Sequence, residues 1–297
     1  MKDLCIIGNG FDVHHGIPSN YRQFGDFLRR HDNATYELVE RYFAVDDDFW
    51  SEFEARLAAF DADTLIDNAS NFLVAYGADD WSDAYHHDYQ YELNRVVEGI
   101  SVTMKARFAE WIAQLPIPGI ESVRDKLVHL NMNASFLSFN YTPALGEIYG
   151  IAVENVFHIH GCASDPVSKI VLGHGWSPES KGSLNRGVNF EEADTRIVEG
   201  NHIIDRYFVA TFKPTEEIIA HNQPFFAALA GVERISIMGH SLADVDLPYL
   251  LEIVRRIDAR RVKWKVSYHD RPDAVRSQFA KLGIPESLVE FVRLSEF

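Results

Sequence analysis

The chain has 297 residues, 46% hydrophobic and 24% charged, the composition of an ordinary soluble globular protein with room for one large domain or two modest ones. No apolar run approaches the roughly 20 residues a membrane helix requires, and two cysteines, Cys5 and Cys162, can build neither a disulfide framework nor a four-cysteine zinc site. The net charge of −16 is uneven: residues 32–110 hold 18 acidic against 5 basic side chains, a surface that repels phosphate backbones and disfavours non-specific nucleic-acid binding.

Leu4-Cys5-Ile6-Ile7 reads as a short buried strand, and Gly8-Asn9-Gly10 as a sharp turn before a helix. This is the opening of a nucleotide-binding sheet, where glycines let backbone N–H groups approach a pyrophosphate. Val13 stands where the third glycine of G-x-G-x-x-G belongs, so the turn also reads as a plain tight turn below a core strand. The chain enters this strand almost at once, without the apolar run of a signal peptide, and a cytoplasmic protein is the expectation.

Ser19 is placed to cap a helix carrying Tyr21, Phe24, Phe27 and Leu28 on one face. From about residue 35 to residue 115 the pattern is helical. Phe49, Trp50, Phe53, Leu57 and Phe60 form one stripe, Leu65, Ala69, Phe72, Leu73 and Tyr76 a second, and about Tyr85 to Leu115 reads as one long helix. Pro116, Pro118 and Gly119 end this acidic stretch. Strand character returns at 134–139, followed by Asn140 and Tyr141 in a loop, with Thr142 as cap and Pro143 opening a helix through Tyr149. Residues 156–161 read as a strand closed by Gly161, 162–201 as polar loops or a lid, and 234–241 as a strand with a glycine turn. Asp246 is placed to cap a helix over 247–257. A strand at 262–268, a helix, and a strand at 289–294 complete the chain.

Strands alternating with helices imply a parallel sheet with helices on both faces. Gly8 to Asp12 (through Asn9, Gly10 and Phe11), Asn140 to Thr142 (through Tyr141), His160 to Gly161, and Gly239 to Ser241 (through His240) would then meet at one sheet edge. That edge is where ligands bind in such folds.

The runs G-N-G-F-D-x-x-H-G-x-P-S-x-Y-x-x-F, F-W-S-E-F-E, F-N-Y-T, H-I-H-G and G-H-S-L-A-D-V-D, in this order over nearly the whole chain, resemble the AbiH bacteriophage abortive-infection family. Those proteins in turn resemble sirtuin-like NAD-binding domains. The resemblance implies a Rossmann-like fold; together with the alternation of strands and helices this predicts a doubly wound, mainly parallel α/β domain over residues 1–34 and 116–297, with the acidic helical stretch at 35–115 as a large insertion. It implies a role in stopping phage propagation, with NAD or a related nucleotide as ligand or substrate and a phage-derived or host protein as trigger; a homo-oligomer fits the same picture. Gly8, Asn9, Gly10 and Asp12 match the phosphate-side turn and Asn140 the asparagine that holds the nicotinamide ribose or a water. His160 matches the catalytic base, and Gly239, His240 and Ser241 match the later turn beside the dinucleotide. The sirtuin zinc module has no counterpart, and the glutamine before the sirtuin asparagine is Phe139 here.

Cleaving the N-glycosidic bond of NAD requires an oriented ribose, a placed water and a base titrating near neutrality, which histidine supplies. Asn140 and His160 are the expected pair; as structural residues they would instead cap a loop and pack a turn. His158 and His160, two apart on a strand, share a face and invite a metal with His174, His240, Asp244 or Asp246, though no spacing fixes such a set and no metal is expected. His14 and His15 face either the ligand or solvent. Ser241 lacks the nucleophile-elbow pattern. Three readings stand: a nucleotide-cleaving effector, a non-catalytic nucleotide-sensing module acting through a protein partner, and a metal-dependent nuclease, against which the acidic surface argues.

Overall fold

The apolar run at the start of the chain forms β1 (Asp3–Ile7), buried along its whole length. A strand covered on both faces has this near-continuous apolar pattern. The structure is a computed structural model that describes residues 2–77, 86–165 and 167–297. It divides into two compact units, one of Met1–Asn20, Ala109–Val171 and Pro214–Phe297, the other of Tyr21–Phe108 and Leu172–Lys213.

In the first unit β1 is joined by β2 (Ser135–Ser138), β3 (Val156–His158), β4 (Arg234–Met238), β5 (Lys263–Tyr268) and β6 (Val289–Arg293). Every neighbouring pair is parallel, in the spatial order β3-β2-β1-β4-β5-β6. This is the order of a Rossmann-like sheet, which winds outward both ways from its centre and reverses between β1 and β4. The register sets Ile7 beside Ser138 on one side and Met238 on the other, so three strands end level with one another. The helices of this unit include α1 (Asn9–His14), α2 (Ala144–Tyr149), α3 (Thr215–His221), α4 (Leu247–Arg256) and α5 (Pro272–Ala280).

The pleat sorts β1 between two cores. Leu4 and Ile6 pack with Leu137, Ile237, Val266, Leu250 and Ile253, while Cys5 and Ile7 pack with Phe11, Phe136, Leu145 and Met238 on the opposite face. Each fully buried aliphatic side chain contributes about 1.5–3 kcal/mol. The two faces together hold the central strands in place at their carboxyl ends.

The second unit is helical. Tyr21–His31 and Asn33–Tyr42 follow one another, the second capped by the Asp32 carboxylate accepting the Thr35 N–H at 3.1 Å. Asp61 caps Ala62–Ala69 in the same way at 2.9 Å; such a cap is worth about 1 kcal/mol. Phe49, Trp50, Phe53, Leu57 and Phe60 are buried, with rings meeting Phe24, Phe43 and Tyr207. The other expected stripe divides: Leu65 and Ala69 are buried, but the helix ends at Ala69 and Phe72 and Tyr76 are exposed. The long helix runs from Asp88–Glu98 through a π turn at Gly99–Thr103 into Met104–Ala113; the start read at Tyr85 lies outside the described residues. Residues 172–213, read as largely loop and mixed structure, contribute the 16-residue helix Thr195–Ala210 to this unit. Its start and its period were both present in the sequence: the Asp194 side chain accepts the Arg196 N–H, and Gly200, Ile203, Ile204, Tyr207 and Phe208 keep helical spacing on its buried side. Lys213, fully buried, pairs with Glu54, which also accepts the Tyr21 hydroxyl. No helix among the described residues is long and apolar enough to cross a membrane.

Candidate functional site

The turns after β1 and β4 lie back to back at the point where the sheet order reverses. The Gly8 N–H donates to the Met238 carbonyl at 2.9 Å, the Gly10 N–H to the Gly239 carbonyl at 2.7 Å, and the Phe11 N–H to the Gly8 carbonyl at 2.9 Å. A Cβ on Gly8 would lie 2.5 Å from the His240 Cα. The glycines therefore serve the close packing of one turn on the other, and their amides are engaged there.

Asn9 is turned to Ser19: its Nδ2 donates to the Ser19 carbonyl at 3.0 Å, and its Oδ1 accepts the Ser19 hydroxyl at 2.6 Å. That corrects the reading of Ser19 as a helix cap, since its hydroxyl is spent on Asn9 and the helix begins at Tyr21. Phe11, expected at the ligand, is fully buried, its ring 4.4 Å from His15 and 5.8 Å from Tyr149. His15, also fully buried, sits 2.7 Å from the Phe11 carbonyl and 2.7 Å from the Tyr149 hydroxyl, and His14 lies 2.8 Å from the Lys126 carbonyl. Both histidines have structural partners rather than facing a ligand.

Asp12 is the hub of the site. It is 1% exposed, and its two oxygens accept from two residues of the loop after β2. Asn140 Nδ2 donates to Oδ1 at 2.8 Å and Thr142 Oγ1 to Oδ2 at 2.6 Å. Burial pushes the Asp12 carboxyl up to about 6 against these two hydrogen bonds and the nearby His158. Thr142, read as a helix cap, spends its hydroxyl here instead, and Pro143 takes the cap position of α2.

An ionised carboxylate only accepts, so Asp12 fixes which way the Asn140 amide points. Nδ2 faces Asp12, and Oδ1 is left as a buried oxygen with no hydrogen-bond partner among the described residues, in a side chain on a residue only 5% exposed. A buried acceptor left unsatisfied costs about 1–3 kcal/mol, so a donor brought to it, from water or from a ligand, stabilises the site. The Asn140 carbonyl in turn accepts from His158 Nδ1 at 2.9 Å. Tyr141 is buried, its hydroxyl donating to the Val171 carbonyl at 2.8 Å.

A second constellation lies at the ends of β3 and β4. His160, 2% exposed, packs its ring 5.2 Å from Phe139 and 5.5 Å from Tyr249, and its Nε2 faces Asp246 Oδ1 at 3.7 Å. His240 Nε2 faces the other oxygen of the same carboxylate at 3.6 Å. His240 Nδ1 accepts the Leu242 N–H at 2.9 Å, which puts the His240 proton on Nε2, toward Asp246. Leu242 holds a φ of 59°, the left-handed region that a leucine avoids, in the loop that carries His240 to Asp246. Asp246 was expected to cap α4; it stands at the cap position but makes no side-chain cap bond and is set between the two imidazoles instead.

His158 and His160 do not share a face. β3 ends at His158, so the strand alternation stops there: His158 donates to the Asn140 backbone carbonyl, while His160 faces Asp246, which also faces His240. His174 belongs to the second unit. Among the described residues no three His, Cys, Asp or Glu side chains are arranged to hold a metal ion. Ser241 is exposed, and Gly161 turns the chain at a φ of 88° between His160 and Cys162.

Sequence reasoning overlooked the place of Asp246 between His160 and His240; its position just before a helix gave only the signal of a cap. No curated protein matches the chain. A family model described as Bacteriophage abortive infection AbiH matches residues 4–268, and the chain belongs to that family.

Proposed function

We propose that this abortive-infection protein binds NAD or a related nucleotide at the carboxyl edge of its parallel sheet and hydrolyses the N-glycosidic bond, as the resemblance to sirtuin-like domains implies. Membership in the family gives the role in bacteriophage abortive infection; the ligand and the chemistry are our reading. The observation that carries it is Asn140 Oδ1, a buried acceptor oriented by Asp12 and lacking a donor. A ribose hydroxyl is a donor of the right kind. In this reading Asn140 takes that hydroxyl, Asp12 and Thr142 hold Asn140, and His160, faced by Asp246, takes the proton of the attacking water. The glycine turns supply close packing, so recognition rests on the ribose more than on a backbone cradle for the diphosphate.

A second reading, a non-catalytic nucleotide sensor working through a protein partner, draws support from the near-complete burial of His160 among Phe139, Tyr141 and Tyr249. One experiment separates the two. The purified chain is incubated with NAD beside folded Asn140→Ala and His160→Ala variants, following both consumption and binding. Loss of turnover by roughly 100-fold in each variant is the expected result. Binding without turnover, weakened only by Asn140→Ala, would favour the sensor. If NAD neither binds to the unmodified chain nor is consumed by it, the NAD reading is wrong.

A further inference from the structure

The loop from Gly239 to Asp246 brings one carboxylate between two buried imidazoles, and the function proposed above gives His240 no part. Asp246 Oδ1 lies 3.7 Å from His160 Nε2, and its Oδ2 lies 3.6 Å from His240 Nε2. These separations suit the pairing of charge rather than short hydrogen bonds. Both rings pack on Phe139, with centroids 5.2 Å and 4.3 Å away, and Tyr249 flanks His160 at 5.5 Å. His160 and His240 are buried and Asp246 is half-buried, so the carboxylate meets its partners where salt and water screen them little.

The two imidazoles are not equivalent. His240 Nδ1 accepts the Leu242 N–H at 2.9 Å, and a nitrogen that carries a proton cannot accept. A second proton on His240 would break that bond, in a loop whose shape is already costly: Leu242 is fully buried there at a φ of 59°. The loop is pinned at either end. The Gly239 N–H donates to Ser267 Oγ at 2.7 Å and the Asp246 N–H to the Ala243 carbonyl at 2.9 Å. His240 is thus held neutral, its single proton on Nε2 toward Asp246, and the proton that the carboxylate draws goes to His160. With Nε2 facing Asp246, neutral His160 keeps its proton on that nitrogen, and Nδ1 takes the second one. Tyr141, stacked at 6.3 Å, and Tyr249 are other titratable groups against the His160 ring, and Asp244 in the same loop is exposed and paired with Lys281.

We propose that Asp246 is the positioning residue of His160, and that His240, held neutral by the Leu242 amide, fixes Asp246 without competing for the proton. The proposal rests on the reading of His160 as the base. In that step the His160 Nδ1 lone pair takes a proton from water as the water oxygen bonds to the ribose carbon. The N-glycosidic bond breaks, and nicotinamide leaves with its electron pair. Asp246 stabilises the imidazolium so formed and holds its ring, without itself taking the proton, which His160 then returns to solvent. The placement of the proton is a property of the protein before any nucleotide arrives.

The test follows the imidazole nitrogen and carbon-bound proton resonances of the folded full-length chain, without ligand, from about pH 5 to about pH 9, assigned with His160→Ala and His240→Gln. His240 should keep an unprotonated Nδ1 throughout, while His160 takes the proton. Asp246→Asn removes the charge and keeps the shape, and should move the His160 midpoint about one unit toward lower pH, a tenfold loss of proton affinity. His240→Gln, whose amide N–H replaces Nε2–H, should leave that midpoint within about 0.3 units. If Asp246→Asn does not fold, the unmodified chain and His240→Gln still decide which imidazole holds the proton. With NAD, Asp246→Asn should lower kcat about tenfold and leave KM within about twofold. A proton taken by His240, a His160 that takes none, or a His160 midpoint indifferent to Asp246→Asn overturns the proposal. The expected titrations without any consumption of NAD would support this placement of the proton and overturn the cleavage reading alone.

Discussion

Gly239→Ala should leave the protein on the order of 4 kcal/mol less stable or prevent it from folding. Two separate costs meet at this residue. Its φ of 67° lies in the left-handed region, which charges an alanine about 1 kcal/mol. The new Cβ would also lie 2.5 Å from the Gly10 carbonyl carbon and closer still to the Phe11 nitrogen. Those are backbone atoms of the neighbouring turn, which cannot swing aside as a side chain can. They are pinned by the Gly8 and Gly10 amides donating across to Met238 and Gly239. Gly150 is the control: its φ is 68°, but nothing lies within 4 Å of a Cβ placed there. Gly150→Ala should therefore cost only the conformational part, about 1 kcal/mol. Urea midpoints of the two variants separate strain from overlap. Equal losses would mean that the turns do not meet as described.

The same pair of turns shows how far the sequence could be read. The four loops at the sheet edge were legible because each followed a run of strand residues, and parallel strands put all such loops on one edge. Glycines at 8, 10 and 239 were legible as turns, but their reason was not, because a tight approach of two distant backbone segments leaves no local signal. Asn140 was singled out as a candidate from its motif, whereas the group that orients it, Asp12, lies 128 positions away. Capping was the least reliable inference. Ser19, Thr142 and Asp246 all have the right residue type just before a helix, and each spends its side chain on a tertiary partner: Asn9, Asp12 and the two histidines. A short polar side chain satisfies whichever donor or acceptor the fold brings nearest. His158 and His160 failed differently, since the strand ended between them and the two-residue period no longer applied.

Replacing Asp12 by asparagine should remove a pH dependence as well as weaken the site. In the folded protein the carboxyl titrates at about 6, against 3.8 for an unburied aspartate. The folded state therefore binds this proton more tightly than the unfolded chain does. The resulting stability is fully present below about pH 4 and is lost as pH rises through about 6, a loss of about 3 kcal/mol at roughly 1.4 kcal/mol per unit. Asp3 and Asp194 slope the other way, because their arginine partners hold them below the usual carboxylate range. The readable quantity is therefore the stability of the unmodified chain minus that of Asp12→Asn. This difference should fall by about 3 kcal/mol between about pH 4 and about pH 7 in urea titrations. A flat difference would mean that Asp12 is not buried as the structure has it. The ligand should respond in the opposite sense. The ionised carboxylate accepts from both Asn140 Nδ2 and Thr142 Oγ1 and so leaves Asn140 Oδ1 as an acceptor. Once protonated, Asp12 must donate, and Asn140 Oδ1 is an oxygen that can take that proton after the amide turns over. Nucleotide binding should then weaken as pH drops below about 6. In Asp12→Asn, whose amide can accept through only one end, affinity should be lower by on the order of 100-fold at every pH. Binding isotherms of both proteins across this range decide it: an affinity that ignores pH in the unmodified chain would detach Asp12 from the ligand, whatever its effect on folding.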